Sequence, residues 1–237
     1  MTTQKLSKLL ATATLAAAAA LTACGGGDDG PLASSDLLLV ANDGTSSFSA
    51  TALGTSLQAL PIQPLSPEEQ ASLAFMREEE KLAHDVYARL DVLWSAQTRT
   101  FGNIATSEAT HTEAVRQLLL RYALTDPAAT LTSGVYASAD LQALHDSLVT
   151  QGAASLVQAL QVGALIEEVD IADLQHALAL VDNEDIRTVY LNLMKGSRNH
   201  LRSFVGALSA QGITYVPQVL DITSYTAIVT TPYERGR

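Results

Sequence analysis

Glu108 and His111 stand three residues apart in the stretch NIATSEATHTEAVRQLLLRY, among apolar residues that a helix would turn toward a core. At about 100° per residue, Ile104, Glu108, His111, Val115, Leu118 and Tyr122 fall within roughly 40° of one helix line. A carboxylate and an imidazole buried side by side cost several kcal/mol, in order of magnitude, unless both gain a partner. An E-x-x-H pair on an inward stripe therefore points to metal binding.

Three more segments set acidic or histidine residues into apolar stripes. SPEEQASLAFMREEEKLAHDVYARLDVLW carries Leu73, Met76, Glu80, Ala83, Tyr87, Leu90 and Trp94 on one line; Glu80 points inward, Glu79 to the border and Glu78 to water. SLVQALQVGALIEEVDIADLQHAL aligns Leu156, Leu160, Gly163, Glu167, Asp170 and Leu174, while Glu168, about 100° away, is expected in solvent. DNEDIRTVYLNLMKGSRNHLRSFVGAL aligns Ile186, Val189, Leu193, Gly196, His200 and Phe204, with Ser197 at the edge. Each of the four segments thus places at least one oxygen or nitrogen donor on its core face. Gly163 and Gly196, each one turn before an inward donor, are expected to leave room for metal and solvent.

Other candidates have plainer readings. A lone buried histidine is more often a hydrogen-bonded core residue than a ligand, but facing carboxylates reverse this for His111 and His200. His84 is expected beside the site or at the surface, and His145 and His176 carry no supporting pattern. Tyr87, Tyr122 and Tyr190 read as core residues with a polar tip, with a hydrogen bond to a ligand or an electron relay as the alternative. Trp94 reads as packing at the end of its helix.

The elements that must position these donors are four long helices. The first starts at a Ser66 cap, with Pro67 in its first turn and Glu69 completing a capping box, and runs to Trp94. The second covers 103–123 and is stopped by Asp126-Pro127. A long connection follows, with a short helix, SADLQALHDSLV, between Gly134 and Gly152. The third spans 153–180, and the fourth runs from an Asp182 cap to 210, with Gly212 as its stop. Residues 212–237 read as a β-prone tail, apolar enough to pack along the bundle. Residues 24–65, rich in Gly, Ser, Thr and Asp, are expected to be a mobile linker with little regular structure, a short hairpin being the alternative.

Composition agrees with helices: 47% of the 237 residues are apolar and only 5% aromatic. A net charge of −11 and the lack of a basic stripe argue against a nucleic-acid partner. Residues 1–23 read as a signal peptide, with lysines at 5 and 8 and the apolar run LATATLAAAAALTA. Leu21-Thr22-Ala23-Cys24 resembles a bacterial lipobox, which makes Cys24 a candidate for lipidation and the chain a membrane-anchored lipoprotein on the extracytoplasmic side of the envelope. The alternative is a plain signal peptide with an incidental cysteine. Cys24 is the chain's one cysteine. Once it is acylated, a metal site must use oxygen and nitrogen donors.

The run from Glu80 to Ala83 followed by Tyr87, the Glu108-x-x-His111 pair, GALIEEVDI and GSRNHLRSF together resemble the rubrerythrin-related branch of the ferritin-like superfamily catalogued as domain of unknown function 2202. The resemblance covers about residues 66–210 and implies an all-α, ferritin-like four-helix bundle with a long crossover between its second and third helices. It also implies a dinuclear iron or manganese site. Di-iron proteins of this type usually carry E-x-x-H on the second and fourth helices. Here Ser197 precedes His200 where the second carboxylate would stand, and Asp170, one turn beyond Glu167, is positioned to substitute. The ligand set implied is Glu80, Glu108, His111, Glu167, Asp170 and His200, whose four carboxylates balance two divalent ions. If Asp170 points away, one ion is held tightly and the other weakly.

Two function classes follow. The first is an envelope redox protein that oxidises ferrous iron or reduces oxygen or peroxide. The second is a non-catalytic metal-binding or structural lipoprotein. Rubrerythrins proper carry a cysteine-rich unit that feeds electrons to the metals; without a C-x-x-C in this sequence, a redox cycle needs an external electron donor or ferrous iron itself. Metal ions, the membrane and a homo-oligomeric assembly are the remaining expected partners.

Overall fold

A computed structural model describes residues 37–235. The candidate signal peptide and Cys24 lie outside them. The described residues are mostly helical: seven helices follow one small hairpin. The hairpin pairs β1 (Leu38–Val40) with β2 (Ser46–Phe48), antiparallel, with Leu38 opposite Phe48. Then come α1 (Ala50–Ala59), α2 (Pro67–Trp94), α3 (Thr100–Arg121), α4 (Ala139–Gly152), α5 (Leu156–Leu180), α6 (Glu184–Ala210) and α7 (Ile222–Val229). The long helices pack mainly as pairs, α2 with α3 and α5 with α6, and the pairs meet through α2–α5 and α3–α6. Among the described residues no helix is long and apolar enough to cross a membrane.

Helix starts follow local chemistry. Ser66 Oγ accepts the Glu69 N–H and Glu69 Oε2 accepts the Ser66 N–H, closing the expected capping box. Glu69 Oε1 also accepts the N–H groups of Asp182 and Asn183, so the same side chain ties the start of α2 to the start of α6. The cap residue of α6 is Asn183, one position beyond the expected Asp182. The crossover helix α4 lies at 139–152, capped by Ser138, and α5 is capped by Ser155.

In three places the structure goes against local composition, because tertiary contacts outweigh it. The segment read as a mobile linker contains the hairpin and α1, whose Leu38, Phe48, Leu53 and Leu57 join the core beside Leu73, Val115, Leu118 and Tyr190. Burying such side chains is worth about 1.5–3 kcal/mol each, enough to order a short segment that composition leaves open. The β-prone tail forms no strand among its described residues; it holds α7, capped by Asp221. Finally, Glu78 and Glu168 are buried rather than solvated. Glu78 Oε1 accepts the N–H groups of Ala137 and Ser138 at the entrance to α4. Glu168 takes the Tyr215 hydroxyl and the N–H groups of Gln218, Val219 and Leu220, docking the tail onto α5. Periodicity gives a side chain's direction on its own helix, but not whether another segment comes to cover it.

Candidate metal centre

Each donor sits between apolar turns of its own helix. On α2, Leu73 and Met76 precede Glu80 in one core cluster, and Tyr87 follows it, packed on Phe204 with ring centroids 5.2 Å apart. On α3, Ile104 and Val115 flank Glu108 and His111; on α6, Leu193 and Phe204 flank His200; all four apolar residues are buried. The polar layer is thus closed above and below by hydrocarbon. His111 and His200 are both 0% exposed, which leaves bulk water no part in balancing their charge.

Glu108, His111 and His200 meet at the centre, with one ligand atom from each lying within 4.8 Å of the others. Nδ1 of His111 is 2.9 Å from Glu108 Oε2, and Nδ1 of His200 is 2.8 Å from Glu108 Oε1. The rings stack, 5.3 Å apart and 16° from parallel. Two more carboxylates flank the group: Glu80 Oε2 lies 3.5 Å from Nδ1 of His111, and Glu167 Oε1 lies 3.6 Å from Nδ1 of His200. Tyr87 donates its hydroxyl to Glu167 Oε1 at 2.6 Å.

Asp170 is not one of the central three. Its Oδ2 accepts the Ser197 hydroxyl, joining the serine to the carboxylate expected to stand in for the missing acid. Its Oδ1 is buried without a hydrogen-bond partner. Glu79, expected at the border, is buried as well, and burial, then the charges of Asp173 and Asp170, drive its carboxyl well above the usual range.

Electrostatics divide the donors. Burial would raise Glu108, but the two imidazoliums overcome it and hold this carboxyl well below the usual range. Burial would lower both histidines, yet the carboxylates outweigh it: Glu108 and Glu80 hold His111 at about 9, and Glu108 and Glu167 hold His200 at about 10. Burial, only partly offset by His111, lifts Glu80 to about 7. Burial also raises Glu167, against the pull of His200, and drives Asp170 well up with the help of the Glu80 and Glu167 charges. Four carboxyls thus gather about two rings, and three of them, Glu80, Glu167 and Asp170, resist ionisation.

A divalent cation fits this donor set. Nδ1 of both histidines and Oε1 of Glu80 are buried with no hydrogen-bond partner among the described residues. The Nδ1–Glu108 approaches are close but not aligned as hydrogen bonds, so the bonding capacity of both ring nitrogens is unmet. Orphaned polar atoms at this depth are costly unless something else satisfies them.

Gly163 and Gly196 make room for protein instead of metal and solvent. A Cβ at Gly163 would lie 2.4 Å from the Phe204 ring, and one at Gly196 would lie 2.6 Å from Cε1 of His111. His84 pairs with Asp85, and His145 with Asp146, both away from the centre. Tyr122 donates to Asp185, Tyr190 meets Ser72, and Trp94 donates to the Gly152 carbonyl.

One site residue was missed. Ser46 Oγ lies 3.1 Å from Nε2 of His111 and 3.0 Å from Nε2 of His200. The signal that marks it is the turn Asn42-Asp43-Gly44 before the alternating Ser46 and Phe48. Gly44 has φ +85°, a conformation that favours glycine, and a Cβ there would strike Ser203 Oγ.

Residues 69–232 match the family described as an uncharacterized protein domain, DUF2202. The chain is 48% identical over 180 residues to the uncharacterized protein MJ0754 of Methanocaldococcus jannaschii, covering 76% of this chain and 96% of that protein. It is also similar to the crystal structure of hypothetical protein MJ0754 from Methanococcus jannaschii, with a TM-score of 0.72 and 47% identity over 74% of this chain and 99% of that one.

Proposed function

The chain belongs to the DUF2202 family, and on that premise we propose that it is a metal-binding protein of ferritin-like architecture with a dinuclear iron or manganese carboxylate centre. One observation carries the reading: two stacked imidazoles turn unpartnered Nδ1 atoms toward a shared carboxylate, in a layer sealed from water. Glu108, which approaches both rings, would be a donor common to them. Glu80, His111, Glu167 and His200 would be its other ligands, and Asp170 would add the oxygen that Ser197 cannot. Oxygen and nitrogen donors in this ratio suit iron, manganese or zinc.

When bound, such a centre supplies one-electron chemistry toward oxygen or peroxide. The chain's own groups prepare for it. Tyr87 orients Glu167 through its hydroxyl, and the Ser197 hydroxyl restrains one oxygen of Asp170. The carboxyls that resist ionisation, Glu80 and Asp170 among them, hold protons beside the centre and release them when a cation arrives. Ferrous iron is the substrate proposed, with an external electron donor required if oxygen or peroxide is reduced repeatedly. We further propose that Cys24 tethers the chain to the membrane at the extracytoplasmic face. A Cys24→Ser variant is then expected in the soluble envelope fraction, and unchanged detergent partitioning would count against the tether.

Metal analysis of the purified chain, followed by oxygen consumption with added ferrous iron, tests the reading. About two metal ions per chain with iron-dependent oxygen uptake support it. Stoichiometric metal without oxygen uptake supports the non-catalytic metal-binding lipoprotein. Absence of stoichiometric metal rejects both metal readings.

A further inference from the structure

We propose that Ser46 is the positioning residue of this centre, its single hydroxyl holding both histidines by Nε2 so that both Nδ1 atoms face the carboxylates. The inference rests on the metal reading above and adds the group that fixes the ligands. A neutral imidazole offers one lone pair and carries one N–H, and the bond made by one nitrogen sets the role of the other. For Nδ1 to bind a cation, the proton must sit on Nε2, and a buried Nε2–H needs an acceptor.

A hydroxyl oxygen has two lone pairs, and here two Nε2 atoms approach it at 3.1 and 3.0 Å. One acceptor serves two rings because the rings stack, which brings their Nε2 edges side by side. Ser46 is 2% exposed, so no bulk water competes for these bonds.

The hydroxyl is held in register by the hairpin. The Ser46 N–H donates to Ser107 Oγ at 2.9 Å, and the Phe48 N–H donates to Thr110 Oγ1 at 3.0 Å. Phe48, two residues on and on the same strand face, meets the His111 ring edge-on at 5.7 Å. The opposing helix leaves the space: a Cβ at Gly196 would sit 2.9 Å from Ser46 Oγ. Ser46 precedes residues 69–232, so a segment outside the matched domain completes the centre.

The test uses the full chain with zinc as probe, read by nitrogen-15 spectra of the histidine rings and by zinc affinity. In the wild type with zinc, both rings are expected to be protonated at Nε2. Ser46→Ala is expected to lose this uniform state and to bind zinc roughly 10- to 100-fold more weakly with unchanged helical content. Ser46→Thr, which keeps the hydroxyl, is expected to restore the ring signals. Thr110→Ala, which loosens the hairpin without removing the hydroxyl, is expected to leave them as in the wild type.

Wild-type affinity and ring signals in Ser46→Ala would overturn the inference while leaving the metal reading intact. Equal losses in Ser46→Ala and Thr110→Ala, with ring signals unchanged in both, would also overturn it by reducing Ser46 to hairpin docking. If Ser46→Ala does not fold, the wild-type spectrum decides: a zinc-loaded ring lacking the Nε2 proton overturns the inference. A wild type that takes up no zinc, iron or manganese removes the metal reading and the inference together.

Discussion

Glu108 stands between two imidazoles, so its removal strands two charges at once. Glu108→Ala combined with His200→Ala is expected to abolish stoichiometric metal binding. Glu113→Ala, which breaks an exposed pair with Arg116, should leave binding intact. Titration calorimetry that fails to separate these variants would sink the metal reading. Glu78 is no innocent control, because its carboxylate holds the N–H groups that open α4. The pH response also belongs to these residues. With His111 at about 9 and His200 at about 10, both raised, their pairing with Glu108 stabilises the metal-free fold fully below the ordinary histidine value, about 6.5. That contribution is lost as pH rises through about 9 to 10. The depressed Glu108 has the opposite sense: its share is present above the ordinary carboxylate range and lost as pH falls through its lowered value. A cation must displace the imidazolium protons, so metal affinity is expected to climb between pH 6 and pH 9, by about tenfold per unit for each proton displaced. Calorimetry in buffers of different ionisation enthalpy measures the release, and uptake without protons would contradict it.

At the scale of elements, the four long helices carry donors, whereas shorter segments hold those helices in place. The β1–β2 hairpin delivers Ser46, and the segment between α6 and α7 is gathered by Glu168. That carboxylate is 0% exposed and accepts a phenol and three backbone N–H groups from residues 215–220. Glu168→Ala leaves these donors unmatched and is expected to cost on the order of 3 kcal/mol. Hydrogen exchange should accelerate across 215–232, while metal stoichiometry stays unchanged because Glu168 faces away from the donor group. Slow exchange in that variant would mean that α7 and the contacts of Arg198 and Arg202 with Glu234 suffice to hold the tail.

For the whole molecule, the centre joins all four long helices, so cation binding and global stability are linked. At a free metal concentration about 100 times the dissociation constant, linkage contributes about 2.7 kcal/mol, a rise of roughly 5–10 °C in Tm for a chain of this size. Scanning calorimetry with and without metal reads this directly, and an unshifted transition would place the cation outside the core. Much of this organisation was legible in the residues themselves. Stripe periodicity, the Ser66–Glu69 box and the glycine and proline stops placed four long helices to within a few residues, because those signals act within one or two helical turns. The same periodicity pointed Glu80, Glu108, His111, Glu167 and His200 inward, since burying them has to be compensated wherever the helices pack. It left unresolved which segments would cover the remaining helix faces. Glu78, Glu79 and Glu168 read as solvated or at the border because each is polar and off the stripe, yet each is buried, two of them by N–H groups from distant segments. Gly163 and Gly196 read as space for metal but are space for Phe204, His111 and Ser46, since a missing Cβ does not say what fills it. Ser46 itself lay in a segment of loop-like composition. Its place against two histidines depends on contacts 65 and 154 residues away in sequence, which only tertiary packing brings together.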